Sequence, residues 1–263
     1  MAGTVRVREG GGARAQLRDP ALHRQEAVIS AALPVGRPLS RLLGVYHDTA
    51  WVALAFEAVE GRPPHHPWAA TEYETVCRAL GDLHHALTPN RLDAAPSAKD
   101  RFGPLFDGWA TLASADPTPI GLDPWAAGHL NELAELEARW PAAVEGDTLL
   151  HGDVRSDNVL MTTDGVVFVD WPHACIGAPV ADAVFWAPSV VLEGGSEPEV
   201  LPATHQPSRI VDPAALAALV AAFSGFLTAL ARRPDPPGLP TLRAFQAAQG
   251  KVALQWLRRL VTF

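Results

Sequence analysis

The stretch from Leu149 to Trp171 constrains the fold more than any other part of the chain, because it alternates three apolar runs with two polar interruptions over a short distance. Leu149-Leu150 ends an apolar run, and His151-Gly152-Asp153-Val154-Arg155-Ser156-Asp157-Asn158 follows as a polar loop. Val159-Leu160 resumes, Asp164-Gly165 supplies a turn, and Val167-Phe168-Val169 returns to end in Asp170-Trp171. Two runs joined by an Asp-Gly turn read as neighbouring strands. The loop and the end of the returning strand must then share one sheet edge, so Asp153, Asn158 and Asp170 are predicted to converge there.

A carboxylate, an amide five positions later and a second carboxylate on a strand end suit phosphoryl transfer. That reaction asks little covalent chemistry of a protein. It needs a group that accepts a hydroxyl proton, and oxygen ligands for a magnesium ion bridging the nucleotide phosphates. The spacing of Asp153 and Asn158 is that of the protein-kinase catalytic loop.

On these residues, HGDVRSDN followed by VDW, the chain resembles the aminoglycoside phosphotransferase and choline kinase-like family. The resemblance implies an α+β, two-lobed protein kinase-like fold with a reduced N-terminal β-lobe and a mainly helical C-terminal lobe. It implies Asp153 as catalytic base, Asn158 and Asp170 as magnesium ligands, and His151 as a residue shaping the loop by hydrogen bonding. It extends to Gly177-Ala178-Pro179-Val180-Ala181-Asp182, where Asp182 would buttress the loop, although Ala178 stands where the family often has Asp. Arg155 has two readings: a cation offsetting charge on the transferring phosphoryl group, or a structural Arg paired with Asp157.

Upstream, Thr4–Arg8 reads as a short strand, Asp19-Pro20 opens a helix carrying Glu26, and Arg41–Tyr46 and Trp51–Phe56 read as an antiparallel pair. The resemblance places the last of these at the nucleotide, with the backbone of Phe56, Glu57 and Val59 facing adenine. It also calls for a strand Lys paired with the helix Glu, yet the only lysines are Lys99 and Lys251. Two registers fill the position. In one, Arg8 or Arg6 substitutes; in the other, Arg18 does. Arg8 is preferred, because Arg18 abuts the helix and leaves almost no chain for a crossing. Arg is not equivalent to the compact charge of Lys. The start therefore reads as truncated, by a start codon assigned too late, a reduced small lobe, or descent to a pseudokinase.

The segments divide at 1–60 for a small nucleotide lobe, 61–67 for a Pro- and Gly-rich hinge, and 68–263 for a helical lobe. Within the last, helices are predicted over Thr71–Leu87, from Asp123-Pro124 to about Arg139, over Pro179–Leu192, Pro213–Leu230 and Leu239–Leu260. Pro89–Gly121 is mixed.

Composition removes other classes. A net charge of −8 argues against nucleic acid as partner, and fits a cationic substrate weakly. No membrane-spanning run and no signal peptide are read, so the expected location is cytoplasmic. Cys77 and Cys175 stand apart, with no thiolate metal motif. His65-His66 and His84-His85 are adjacent pairs and diverge around a helix, so neither reads as a zinc site. The expectation is a phosphotransferase that moves the γ-phosphate of ATP or GTP, with Mg2+, to a hydroxyl of a small molecule such as an aminoglycoside or another amine-bearing compound. The alternative is a catalytically impaired binding protein with a degenerate nucleotide site. Oligomeric state is not legible.

Overall fold

The computed structural model describes residues 5–11, 20–34, 39–48, 51–116, 120–208 and 211–263, with side chains from Ala21 onward. Val5–Gly11 (β1), Leu42–His47 (β2) and Trp51–Glu57 (β3) form an antiparallel sheet in the order β1-β3-β2. Alternation fits this use of β3: Val52 and Leu54 are each 1% exposed, while Trp51 and Ala53 beside them are less buried. Asp48 closes the β2–β3 turn, accepting the Trp51 N–H on Oδ1 at 2.8 Å and donating its own N–H to the Trp51 carbonyl at 2.9 Å. Pro20–Ala32 (α1) packs on β3 and buries His23, Glu26 and Ile29 on one face.

β1 runs on through Gly10 and Gly11, past the strand end expected at Arg8. Their register opposite Val52 and Trp51 continues the ladder where the side-chain pattern has already stopped. Arg14–Arg18 and Asp19 lie outside the described residues, as does the side chain of Arg8, whose backbone stands opposite Leu54.

The segment predicted as a hinge is tied down. Arg62 and Met161 exchange backbone hydrogen bonds at 3.1 and 2.7 Å, and Glu72 accepts from the Arg62 guanidinium at 2.5 Å and the His65 N–H at 2.8 Å. Beyond it come Ala70–Ala86 (α2), Ala98–Phe102 (α3), Gly108–Ala113 (α4), Pro124–Gly128 (α5), Leu130–Glu137 (α6) and Trp140–Ala143 (α7). The helix predicted from Pro124 to Arg139 is broken at His129. Its ring Nδ1–H donates to the Trp125 carbonyl at 2.8 Å, the acceptor that its own N–H would need in a continuous helix, and that N–H turns to Ala126 O at 3.1 Å.

Thr148–Leu150 (β4) pairs with Cys175–Gly177 (β7), and Val159–Thr162 (β5) pairs with Gly165–Phe168 (β6). Val180–Leu192 (α8), Val200–Thr204 (α9), Pro213–Leu230 (α10) and Leu242–Leu260 (α11) complete the chain. α10 is long and apolar enough to cross a bilayer by length and composition, contrary to the sequence reading. In this fold it packs against α4, α6, α7, α8 and α11. Its contact with α4 is backbone to backbone: a Cβ on Gly108 would stand 2.1 Å from the Gly225 carbonyl. Glu137 of α6 caps α4 from outside, accepting the Trp109 and Ala110 N–H groups at 3.1 and 2.9 Å. Burial outweighs these bonds and raises its carboxyl to about 7.

Candidate active site

The buried strand β4 delivers His151 into the interior, and the first carboxylate of α8 meets it there. Asp182, fully buried, accepts the His151 N–H on Oδ2 at 2.9 Å, the Gly152 N–H on Oδ1 at 2.7 Å, and His84 Nε2–H at 2.9 Å. Burial pushes this carboxyl up; the hydrogen bonds from His84 and the loop N–H prevail and hold it below its ordinary range. The buttressing position of Asp182 is thus visible in its contacts.

His151 is itself fully buried, and its contacts fix its tautomer. Nδ1 accepts the Asp153 N–H at 3.3 Å, so the proton sits on Nε2 and is donated to the Val169 carbonyl at 3.1 Å. The ring links the loop to the chain just before Asp170. Gly152 has φ +78°, and a Cβ there would lie 2.2 Å from the His173 carbonyl. Gly152→Ala is expected to cost about 3 kcal/mol or more by combining positive φ with a clash on rigid backbone. Urea denaturation checks this, and a loss below about 1 kcal/mol would show that the loop relaxes freely.

Asn158 closes a short helical turn, Ser156–Asn158, and its Nδ2 donates to the Asp153 carbonyl at 2.9 Å and to Asp153 Oδ2 at 3.3 Å. Its own carbonyl accepts the Val169 N–H at 3.0 Å, which sets the end of β6 beside the loop. Asp170 follows with φ +72°, the one non-glycine residue with positive φ among the described residues. Such strain in a half-buried carboxylate marks a position held for its side chain. Asp153, Asn158 and Asp170 are therefore brought to one edge.

Arg155 donates through Nε and Nη2 to the two carboxylate oxygens of Asp157, and its Cζ lies 5.5 Å from the centre of the Phe245 ring. This is the ion pair that its second sequence reading described. Phe56, Glu57, Val59 and Ser40 line a narrow cleft with Leu160, Phe168, Asp170 and Trp171. The Glu57 side chain is turned to Arg41 at 3.4 Å, its N–H donates to the Arg41 carbonyl at 2.8 Å and its carbonyl accepts from Ser40 Oγ at 2.9 Å. Glu26 is fully buried and bonds His23 Nδ1 through Oε2 at 3.3 Å, while Oε1 has no partner among the described residues.

His84, His205 and Ser208 carried no sequence signal as site residues. Asp182, His84, His205 and Ser208 form one buried chain, with His84 Nδ1 and His205 Nε2 3.1 Å apart and His205 Nδ1 and Ser208 Oγ 2.6 Å apart. One proton per link satisfies every member if Ser208 donates to His205, His205 to His84, and His84 to Asp182. Burial, then the neighbouring His84, lowers His205 to about 3. A base whose folded value lies below its ordinary 6.5 stabilises the fold above 6.5 and loses that contribution as pH falls toward the folded value. His205 is expected to cost about 2 kcal/mol of stability between pH 7 and pH 5. Denaturant midpoints across that window, with His205→Gln as comparison, check the slope; equal slopes in both proteins would contradict it.

His173 was also missed. Its Nδ1 accepts from Arg101 Nη2 at 2.5 Å, and burial lowers it to about 4, with Asp153 opposing and Arg101 assisting. The ring is neutral at pH 7 and carries its proton on Nε2.

Among solved structures, a choline/ethanolamine kinase family protein from Mesorhizobium loti matches with a TM-score of 0.57 at 15% identity, over 100% of this chain and 84% of its own. An aminoglycoside phosphotransferase in complex with AMP-PNP and hygromycin B matches with a TM-score of 0.60 at 14% identity, over 97% and 85%. The choline kinase LicA from Streptococcus pneumoniae gives 0.57 at 13%, over 97% and 86%. These likenesses define the fold as protein kinase-like. A comparison with curated protein sequences gives no match. The model of the phosphotransferase enzyme family, APH, matches residues 4–219, and the chain belongs to that family.

Proposed function

We propose that this protein transfers the γ-phosphate of ATP or GTP to a hydroxyl group of a small molecule, with Asp153 as the base. The observation that carries the reading is the clamp between Asn158 and Asp153. An amide whose nitrogen is committed to Asp153 can offer a cation only its oxygen, so one side chain both orients the base and presents a metal ligand.

Asn158 and Asp170 would hold Mg2+. No cluster of three or more His, Cys, Asp or Glu suited to a metal occurs among the described residues. Two protein oxygens suit magnesium in such a site, since it keeps waters and takes its remaining ligands from nucleotide phosphates. When bound, the ion neutralises charge on the phosphates. The chain's own residues do the rest. Asp153 accepts the proton of the attacking hydroxyl; His151 and Asp182 hold its loop; the backbone from Phe56 to Val59 supplies the edge against which the purine lies. Glu26 supplies the buried carboxylate that a strand cation, Arg8, would meet.

Titration of AMP-PNP into the protein with and without Mg2+ tests the site. Binding is expected to tighten at least about 10-fold with the ion, and Asp170→Asn is expected to abolish that gain. Binding that ignores Mg2+ in both proteins would overturn the metal assignment.

A further inference from the structure

A cavity of about 270 Å³ lined by Asp153 opens between α3, α8, α10 and α11. Six of the nine phenylalanines in the chain line it, including Phe102, Phe185, Phe223 and Phe245. Phe185 and Phe223 lie 4.9 Å apart, and the rings continue outward through Phe226 at 6.2 Å.

The charges around this cavity are few. Of the 29 acidic residues in the chain, only Asp153 is among the described residues lining it, and the one lining cation, Arg155, is ion-paired with Asp157. The other polar walls are neutral. Gln246 Oε1 accepts from Arg243 at 2.7 Å, Gln249 Nε2 donates to Ser189 Oγ at 2.6 Å, and His173 is uncharged at pH 7.

We infer that the acceptor is a neutral alcohol with a compact aromatic or alicyclic body that fills this phenylalanine-lined cavity and points its hydroxyl at Asp153. The inference rests on the phosphotransferase reading and narrows it. An ammonium group buried here would lose its hydration with no carboxylate to replace it apart from the base itself. Aromatic faces can hold a quaternary ammonium, but the Arg155 guanidinium already occupies the face of Phe245. Size points the same way, since 270 Å³ lies below the range of roughly 300–1,000 Å³ that encloses drug-sized ligands. A multi-ring aminosugar would leave most of itself outside. The acidic net charge that weakly favoured a cationic substrate resides elsewhere on the surface.

A matched pair of probes tests this on the full chain: 3-phenylpropan-1-ol and its 4-aminomethyl derivative, with choline and hygromycin B alongside. Saturation-transfer NMR reads binding without turnover, and ADP release with Mg·ATP reads transfer. The neutral alcohol is expected to bind at least about 10-fold more tightly than its amine. Gln246→Glu keeps the bond from Arg243, adds a carboxylate to the wall, and should raise the relative affinity of the amine at least about 5-fold. Preference for the amine, choline or hygromycin B overturns the inference, as does failure of every probe to bind. Tight binding of the neutral alcohol without ADP release leaves it standing and counts instead against the phosphotransferase reading.

Discussion

Asp153→Asn is expected to lower kcat about 1,000-fold while changing AMP-PNP affinity no more than about 3-fold. A positioned base contributes about 10²–10⁴-fold, and the middle of that range corresponds to about 4 kcal/mol of transition-state stabilisation. The amide preserves the shape of the loop. Asn158 bonds the Asp153 backbone carbonyl at 2.9 Å, a contact the substitution leaves alone, and an amide oxygen can replace Oδ2 at 3.3 Å. What is lost is the capacity to take a proton. Turnover of Mg·ATP with the alcohol probe that the wild type accepts, alongside a nucleotide titration, separates the two effects. A fall of less than 10-fold would remove Asp153 from the reaction.

Asp182→Ala is expected to have the largest effect on stability, a loss of about 3–5 kcal/mol, as when one member of a buried charge-assisted set is removed. Two loop N–H groups and the His84 ring converge on this fully buried carboxylate at 2.7–2.9 Å. Each would be orphaned at once. Because domains are stable by only about 5–15 kcal/mol, such a loss takes a large share of the total. Activity should fall as well, since Gly152 and His151 position Asp153 through the same bonds. Asp182→Asn should cost less, because it keeps one good acceptor but turns an N–H toward another donor. Urea denaturation of the three proteins ranks them; equal stability of wild type and Asp182→Ala would show that the loop N–H groups find other partners.

The convergence of Asp153, Asn158 and Asp170 was legible because its parts are local. Asp153 and Asn158 are five residues apart, and the Asp164-Gly165 turn returns the chain to Asp170 within one hairpin. The helices Val180–Leu192 and Pro213–Leu230 were legible for a similar reason, being largely apolar runs. His84 was read as an ordinary helix residue because its partners Asp182 and His205 lie 98 and 121 positions away, a distance that no periodicity encodes. β7 escaped because Cys175-Ile176-Gly177 is too short to show alternation and exists only through its pairing with β4. The break at His129 depends on a ring hydrogen bond rather than on propensity. The acceptor cavity was hidden most completely: its phenylalanines come from Phe102 to Phe245, and only packing gathers them.

The measurement that bears most directly on the central claim is the 31P NMR spectrum of Mg·ATP incubated with the protein and the neutral alcohol, under conditions where AMP-PNP titration shows the nucleotide site saturated. The γ-phosphorus is expected to leave ATP and reappear as a phosphate monoester, and to stay in place with Asp153→Asn. ATP that survives intact in a saturated site would contradict the account and leave a protein that binds nucleotide without transferring phosphate.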